Sequence, residues 1–157
     1  MLAFLRRNSF DVFSLSSEFT SQIVESLIQI AQDESKTGNI RISAIDYLID
    51  LRKDVPVESY DRIYKSILSK DLKSHILYQV GHYYEKAAAK WIIDILDYEK
   101  DVDLQVRALQ SLADSGEIED LSKIPDLQGK PDYSIIFEIS VHDAIERARH
   151  IIESRKE

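Results

Sequence analysis

Three stretches of the chain, beginning at Asn39, Asp71 and Asp103, repeat one pattern at a spacing of 32 residues, and that period leaves few architectures open. Each opens with a residue type that caps helices and then sets apolar side chains at matching offsets: Ile40, Leu72 and Leu104; Ala44, Ile76 and Ala108; Ile45, Leu77 and Leu109; Leu48, Val80 and Leu112. A fixed period of this length is the mark of a stacked helical repeat, in which each unit buries its apolar face against its neighbours. Caps at Asn39, Asp71 and Asp103 would set the register, each contributing ~1 kcal/mol, while the apolar columns supply most of the folding energy.

The rest of the chain fits an all-α fold of about seven or eight helices. Four Gly and three Pro are too few turn-formers for a fold of many β-hairpins, and 44% hydrophobic with 31% charged residues is a globular balance. A length of 157 residues suits one domain with a continuous core, read here as an N-terminal cap over 1–33, regular repeats over 39–124 and a C-terminal capping helix over 131–157. Residues 1–15 are apolar without a single period and are expected to form part of the cap.

Helical periodicity begins at Ser17, with Phe19, Ile23, Val24, Leu27, Ile28 and Ala31 on one face, and ends near Asp33. A second helix runs from Asn39 to about Lys53, and Pro56 opens a third whose inner face is Val57, Tyr60, Ile63, Tyr64, Ile67 and Leu68. The fourth spans Asp71 to about Glu85, and the fifth, Ala87 to Glu99, buries Ala88, Trp91, Ile92, Ile95 and Leu96. A sixth starts at Asp103 and stops at Ser115-Gly116, where glycine is expected in the left-handed conformation. A short helix from Glu117 to Lys123, a loop containing Pro125, Gly129 and Pro131, and a last helix from Tyr133 to Ser154 carrying Ile136, Ile139, Ala144, Ile145, Ala148, Ile151 and Ile152 complete the sequence.

Several classes of function are disfavoured. At the N-terminus the apolar residues precede Arg6-Arg7, the reverse of a secretory signal, and no apolar run approaches the ~20 residues of a membrane span. Cytoplasmic location is the expectation. The absence of Cys removes thiolate nucleophiles and thiolate metal ligands. His75 and His82 share a helix face with Glu85 but stand ~10 Å apart along it, too far for one ion. His142-Asp143 lacks the further ligands a metal-dependent phosphohydrolase needs, and neither a phosphate-binding Gly-rich loop nor a Gly-x-Ser-x-Gly elbow occurs. Catalytic residues, metal and cofactor are therefore expected to be none.

The helix pairs Asn39 to Leu68, Asp71 to Glu99 and Asp103 to Lys123 resemble short bacterial HEAT-like repeats, whose first helix often reads as an Asp or Asn cap, a basic residue, then Ala followed by Leu or Ile. The matching positions are Asn39, Arg41, Ala44, Ile45 and Leu48 in one unit, and Asp103, Val106-Arg107, Ala108, Leu109 and Leu112 in another. The middle unit departs, with Ile76 in the Ala column and Gly81-His82 near its end. Asp50 and Asp114 share a column that resembles the acid often closing the turn within a HEAT unit. The Trp, Leu-Gly and Tyr pattern of tetratricopeptide repeats is missing. The resemblance implies a right-handed α-α superhelix, a HEAT-like solenoid with second helices lining its concave side, and a role in binding protein.

Charge then directs attention to one surface. The chain has 28 acids against 20 bases, a net charge of −8, with the acids concentrated between Asp94 and Asp120. Arg62, Lys65 and Lys90 are too few and too interrupted to neutralise phosphates, so nucleic acid is not the expected direct ligand. Glu58, Asp61, Asp94, Asp97, Asp101, Glu119 and Asp120, with Tyr98 beside them, form an acidic ridge suited to a basic protein partner. The sharpest expectation is a noncatalytic immunity protein that inhibits a basic nuclease-type toxin; a scaffold or adaptor subunit of a larger assembly is the alternative. Solubility alone also accounts for any one of these acids.

Overall fold

The computed structural model describes residues 17–127 and 133–155, so the expected cap over 1–15 lies outside the described residues, as do Gly129 and Pro131. Within them the chain is all-helical apart from one short β ladder. The elements are α1 (Ser17–Gln32), α2 (Gly38–Asp50), α3 (Val57–Ser66), α4 (Lys70–Tyr83), α5 (Glu85–Tyr98), α6 (Val102–Ser115), α7 (Ile118–Leu121), β1 (Tyr133–Ser134), β2 (Ile139–Ser140) and α8 (Val141–Ser154). Neighbouring helices pack in two rows: α2, α4, α6 and α8 follow one another in one layer, and α1, α3 and α5 in the other. The most extensive contacts between layers join α1 to α2 and α5 to α6, whereas α2 and α3, paired in the sequence reading, barely touch.

The period of 32 is visible as geometry, but two residues earlier than expected. The N-caps are Thr37, Ser69 and Asp101, not Asn39, Asp71 and Asp103, which fall inside the first turns. Thr37 makes no side-chain cap bond, Ser69 accepts from the Leu72 amide, and Asp101 accepts from the amides of Asp103 and Leu104. Ser and Asp at both candidate positions made the register ambiguous from residue type alone.

The columns themselves are buried. Ala44, Ile76 and Ala108, then Ile45, Leu77 and Leu109, then Leu48, Val80 and Leu112 have no exposed surface, and Leu72 and Leu104 are also in the core; Ile40, at the open end of its column, is exposed. Tyr60, Ile63, Tyr64 and Ile67 join them, but Leu68 is 86% exposed because α3 ends at Ser66 and the chain turns outward. Phe19 on α1 is likewise exposed. The two buried tyrosines keep their hydroxyls partnered, as burial requires: Tyr64 donates to Glu99 Oε2 (2.7 Å), and the Tyr84 hydroxyl, which donates to Val55 O (2.8 Å), lies 3.1 Å from that of Tyr60.

One equivalence escaped the sequence pattern. Arg41, Lys73 and Gln105 occupy one column at the repeat spacing, and all three reach back to the C-terminal end of the preceding helix in the other layer. Arg41 Nε donates to Ala31 O (2.8 Å) while its Nη atoms grip Glu34 (2.6 and 2.9 Å); Gln105 Nε2 donates to Glu99 O (2.8 Å); the Lys73 ammonium stands 4.9 Å over the Tyr64 ring. Carbonyls at a helix end lack intrahelical partners, so the Arg41 and Gln105 bonds satisfy groups that would otherwise need water, while Lys73 meets a ring instead. The partner of Arg41 in the third unit is thus Gln105, and Arg107, matched to it in the sequence reading, points elsewhere.

The C-terminal third differs most from expectation. Residues from Tyr133 do not continue as helix; β1 and β2 pair antiparallel, with Tyr133 opposite Ser140 and Ser134 opposite Ile139, and α8 begins only at Val141. Ile136, expected on the buried face, is 65% exposed in the turn, while Ala144, Ala148 and Ile152 are buried as expected. The hairpin is tied to α6 through Ser134 Oγ, which donates to Asp103 Oδ1, and Lys70 bonds Asp103 Oδ2 and pairs with Asp101 at 2.9 Å. Gly116 ends α6 in extended rather than left-handed backbone (φ −77, ψ 158). Its need for glycine is steric, because a Cβ there would lie 2.7 Å from Leu112 O and 3.1 Å from Ile152 Cδ1. Arg155 then caps α6 from the far end of α8, donating to Gly116 O (3.1 Å) and to Ala113 O.

Helices α4 and α6 are in close contact at Gly81, where an added Cβ would fall 2.5 Å from Ser111 Cβ and 3.1 Å from its backbone. Gly81→Ala should therefore cost about 1–3 kcal/mol in urea unfolding. Ser111→Ala should be neutral or slightly stabilising, since the Ser111 hydroxyl is buried without a hydrogen-bond partner. The hydrogen bonds from Lys70 and Ser134 hold the Asp103 carboxyl below its ordinary range. That stabilisation is complete above the unfolded-state pKa of about 3.9 and is lost as pH falls through the lower folded value. Asp103→Asn should accordingly lower stability at neutral pH and flatten its decline below about pH 4, measured by denaturant melts across pH.

Candidate functional site

Between α3, α5 and the loop after α2 lies an open groove of about 760 Å³. Pro56 ends the loop and starts α3, and the break at Tyr84, with Glu85 in left-handed backbone (φ 46), redirects the chain from α4 into α5. Trp91 lies at this groove, only 6% exposed, with its ring edge-on to Tyr64 (6.0 Å between centroids) and its indole Nε1 donating to Asp61 Oδ1 at 3.2 Å. Glu58, Asp61 and Asp94 line the groove together with Asp54, but Arg52, Lys53, Lys65, Lys86 and Lys90 line it too. The surface is thus of mixed charge rather than uniformly acidic.

The eight residues of the expected ridge divide into three groups. Asp61 and Tyr98 share one lysine at the surface: Asp61 Oδ2 accepts from Lys65 Nζ (2.7 Å), and the same ammonium lies 5.6 Å over the Tyr98 ring. Burial, with the carboxylates of Asp61, Glu99 and Asp94 nearby, pushes the Tyr98 phenol up to about 12. Asp101 and Asp120 are structural. Asp101 caps α6 and pairs with Lys70; Asp120 accepts from the Glu117 amide in a capping box and from Lys123 Nζ (2.8 Å). Glu58, Asp94, Asp97 and Glu119 are exposed and make no hydrogen bond or ion pair among the described residues. Of these, Glu58 and Asp94 come together across the groove, Asp97 follows on α5, and Glu119 stands apart on α7.

The bases that the sequence set aside are partly occupied: Arg62 pairs with Glu25 (2.8 Å) and Lys65 with Asp61. His75 Nε2 lies 2.7 Å from Asp46 Oδ1, tying α4 to α2, and Asp143 is engaged in the Ser140 cap of α8. No group of three or more metal-ligating side chains comes together among the described residues, and none of their helices is long and apolar enough to cross a membrane. Comparison with protein-family models, with curated proteins and with solved structures gives no match to this chain.

Sequence reasoning missed the groove itself, because it depends on the layer packing of α3 against α5 and not on either helix alone. It also missed which acids are spent on the fold. The second point makes a measurable separation. Asp101→Ala should cost about 1–2 kcal/mol through loss of the α6 cap, whereas Asp94→Ala and Asp97→Ala should stay within about 0.5 kcal/mol in the same unfolding assay.

Proposed function

We propose that this chain is a noncatalytic protein-binding module, a HEAT-like right-handed superhelix whose α3–α5 face docks a protein partner. The observation that carries the reading is that Glu58 and Asp94, at a groove that Trp91 and Tyr84 also line, and Asp97 beyond it on α5 are exposed and make no direct ion pair among the described residues. Unpaired carboxylates gain little where they stand and much opposite a desolvated Lys or Arg. Trp91 and Tyr98 supply the aromatic component that interfaces favour. The partner is accordingly basic where it meets these acids, and the lysines of the groove favour one that also carries some acidic residues. Inhibition of a basic nuclease-type toxin is the sharper form of this proposal; a scaffold or adaptor role follows from the same face with a different partner. The expected cytoplasmic location belongs with either.

The single tryptophan of the chain makes the test direct. Titration of a basic nuclease domain, or of partners recovered by affinity capture, should change Trp91 fluorescence with an association rate that falls as salt rises. A triple reversal of Glu58, Asp94 and Asp97 to Lys should slow association by about tenfold or more while leaving the fold intact. Unchanged binding by that variant would sink the proposal.

A further inference from the structure

The other helix layer carries a second feature, of opposite chemistry. Arg107 on α6 is partly buried between two rings, its Cζ lying 4.6 Å from the centroid of Phe137 in the hairpin and 5.7 Å from that of Tyr78 on α4. Its Nε donates to Ser74 Oγ (3.2 Å) and its Nη1 to Gln110 Oε1 (3.0 Å), and no carboxylate pairs with it among the described residues. A guanidinium has five N–H donors, so most of the fork remains open while the aromatic rings fix its plane. Burial lowers the pKa of Arg107, the signature of a cation carried into the fold without a counter-charge.

Beside it a pocket of about 260 Å³ opens between α6, α8 and β2. Arg147 on α8 lines this pocket and also makes no hydrogen bond or ion pair among the described residues. Asp114 lines it too, leaving two guanidiniums against one carboxylate in a chain whose net charge is −8. The wall includes Ser111, whose buried hydroxyl has no partner. Ile139, Ala144 and Ile151 supply an apolar wall, and Gln110 lines the pocket as well. Open forked donors above an apolar wall match a carboxylate on a short aliphatic stem, which pairs bidentately with guanidinium.

From the pocket a line of rings and cations continues over α4. Tyr78 stacks parallel to His82 (6.2 Å, 5°), His82 meets Tyr83 edge-on (4.7 Å), and Arg52 covers Tyr83 (5.3 Å). Tyr78, His82 and Tyr83 are exposed. Such a ladder extends the surface well beyond what a small molecule would cover, and Tyr and Arg are the residue types that dominate protein interfaces.

We propose that the pocket between α6 and α8 recognises the carboxylate of an acidic peptide segment of a protein partner, gripped by Arg107 and Arg147, with the Tyr78–His82–Tyr83 ladder seating the residues that follow. Apart from Arg52, which lines both, its residues are not those of the α3–α5 face, which would select the opposite charge.

The test is an NMR titration of the full chain with an N-acetylated, C-amidated peptide whose charged residues are all Glu, beside the same peptide with Gln in their place, sodium acetate and inorganic phosphate. The Glu peptide should give saturable shifts at the amides of Gln110, Ser111 and Arg147, weakened about tenfold or more by Arg107→Met and by Arg147→Gln, and less by Arg52→Gln. Arg147→Gln, at an exposed position, keeps the test valid if Arg107→Met fails to fold. Equal binding of the Gln peptide, absence of saturable shifts, or a stronger response to phosphate would overturn the carboxylate assignment. Acetate binding as tightly as the Glu peptide would overturn the peptide source.

Discussion

The close approach of α4 to α6 at Gly81 and Ser111 is the contact on which the rest of the molecule depends. Helix pairs held apart by larger side chains leave room for the small residues of their columns to become voids, and Ala108 and Ala113 on α6 are both buried. With α4 and α6 drawn together, α5 sits against α6, α8 packs on the far side of α6, and the hairpin is anchored to Asp103. Both candidate surfaces inherit their geometry from this arrangement. The groove exists because α3 and α5 flank one another in the second layer, and the arginine pocket because α8 and the hairpin close over α6.

Polar groups divide between fold and surface in a way that net charge conceals. Asp101, Asp103 and Asp120 lie in the acidic half of the sequence, yet all three spend their oxygens on helix starts, on lysines or on the hairpin. Glu99 joins them, accepting from the Tyr64 hydroxyl and from the amides of Lys100 and Asp101. Among the ridge acids, those left without a hydrogen bond or ion pair among the described residues are a smaller set, Glu58, Asp94, Asp97 and Glu119. Conversely, Arg107 is surrounded by acids in sequence and contacts none of them.

The helical class, the apolar columns and most helix bounds were legible in the sequence because they rest on local periodicity, which Ala44, Ile45 and Leu48 and their counterparts state three times over. The caps were misplaced by two residues, since Asp101 and Asp103 are equally good capping types and only backbone geometry separates them. The hairpin before α8 was invisible because Ile136, Ile139 and Ala144 fall at helical spacings although the chain reverses at Glu138, which adopts left-handed backbone (φ 52) without being glycine. Of the ridge, the unpaired members were legible as charges and the structural ones were not: Asp101 pairs with Lys70, which is distant in sequence, and the roles of Asp101 and Asp120 at helix starts depend on backbone geometry rather than residue type.

The graded caps have a dynamic consequence. From α2 to α4 to α6 the start of each repeat helix is fixed by no side-chain bond, then one, then two. Amide exchange through local opening follows such anchoring, so the stack is fastened unevenly, with its loosest first turn at Gly38 and its tightest at Val102. Helices α3 and α5 rest on α4 and α6 and barely on α2, so the α3–α5 groove is built on the better-fastened part of the stack.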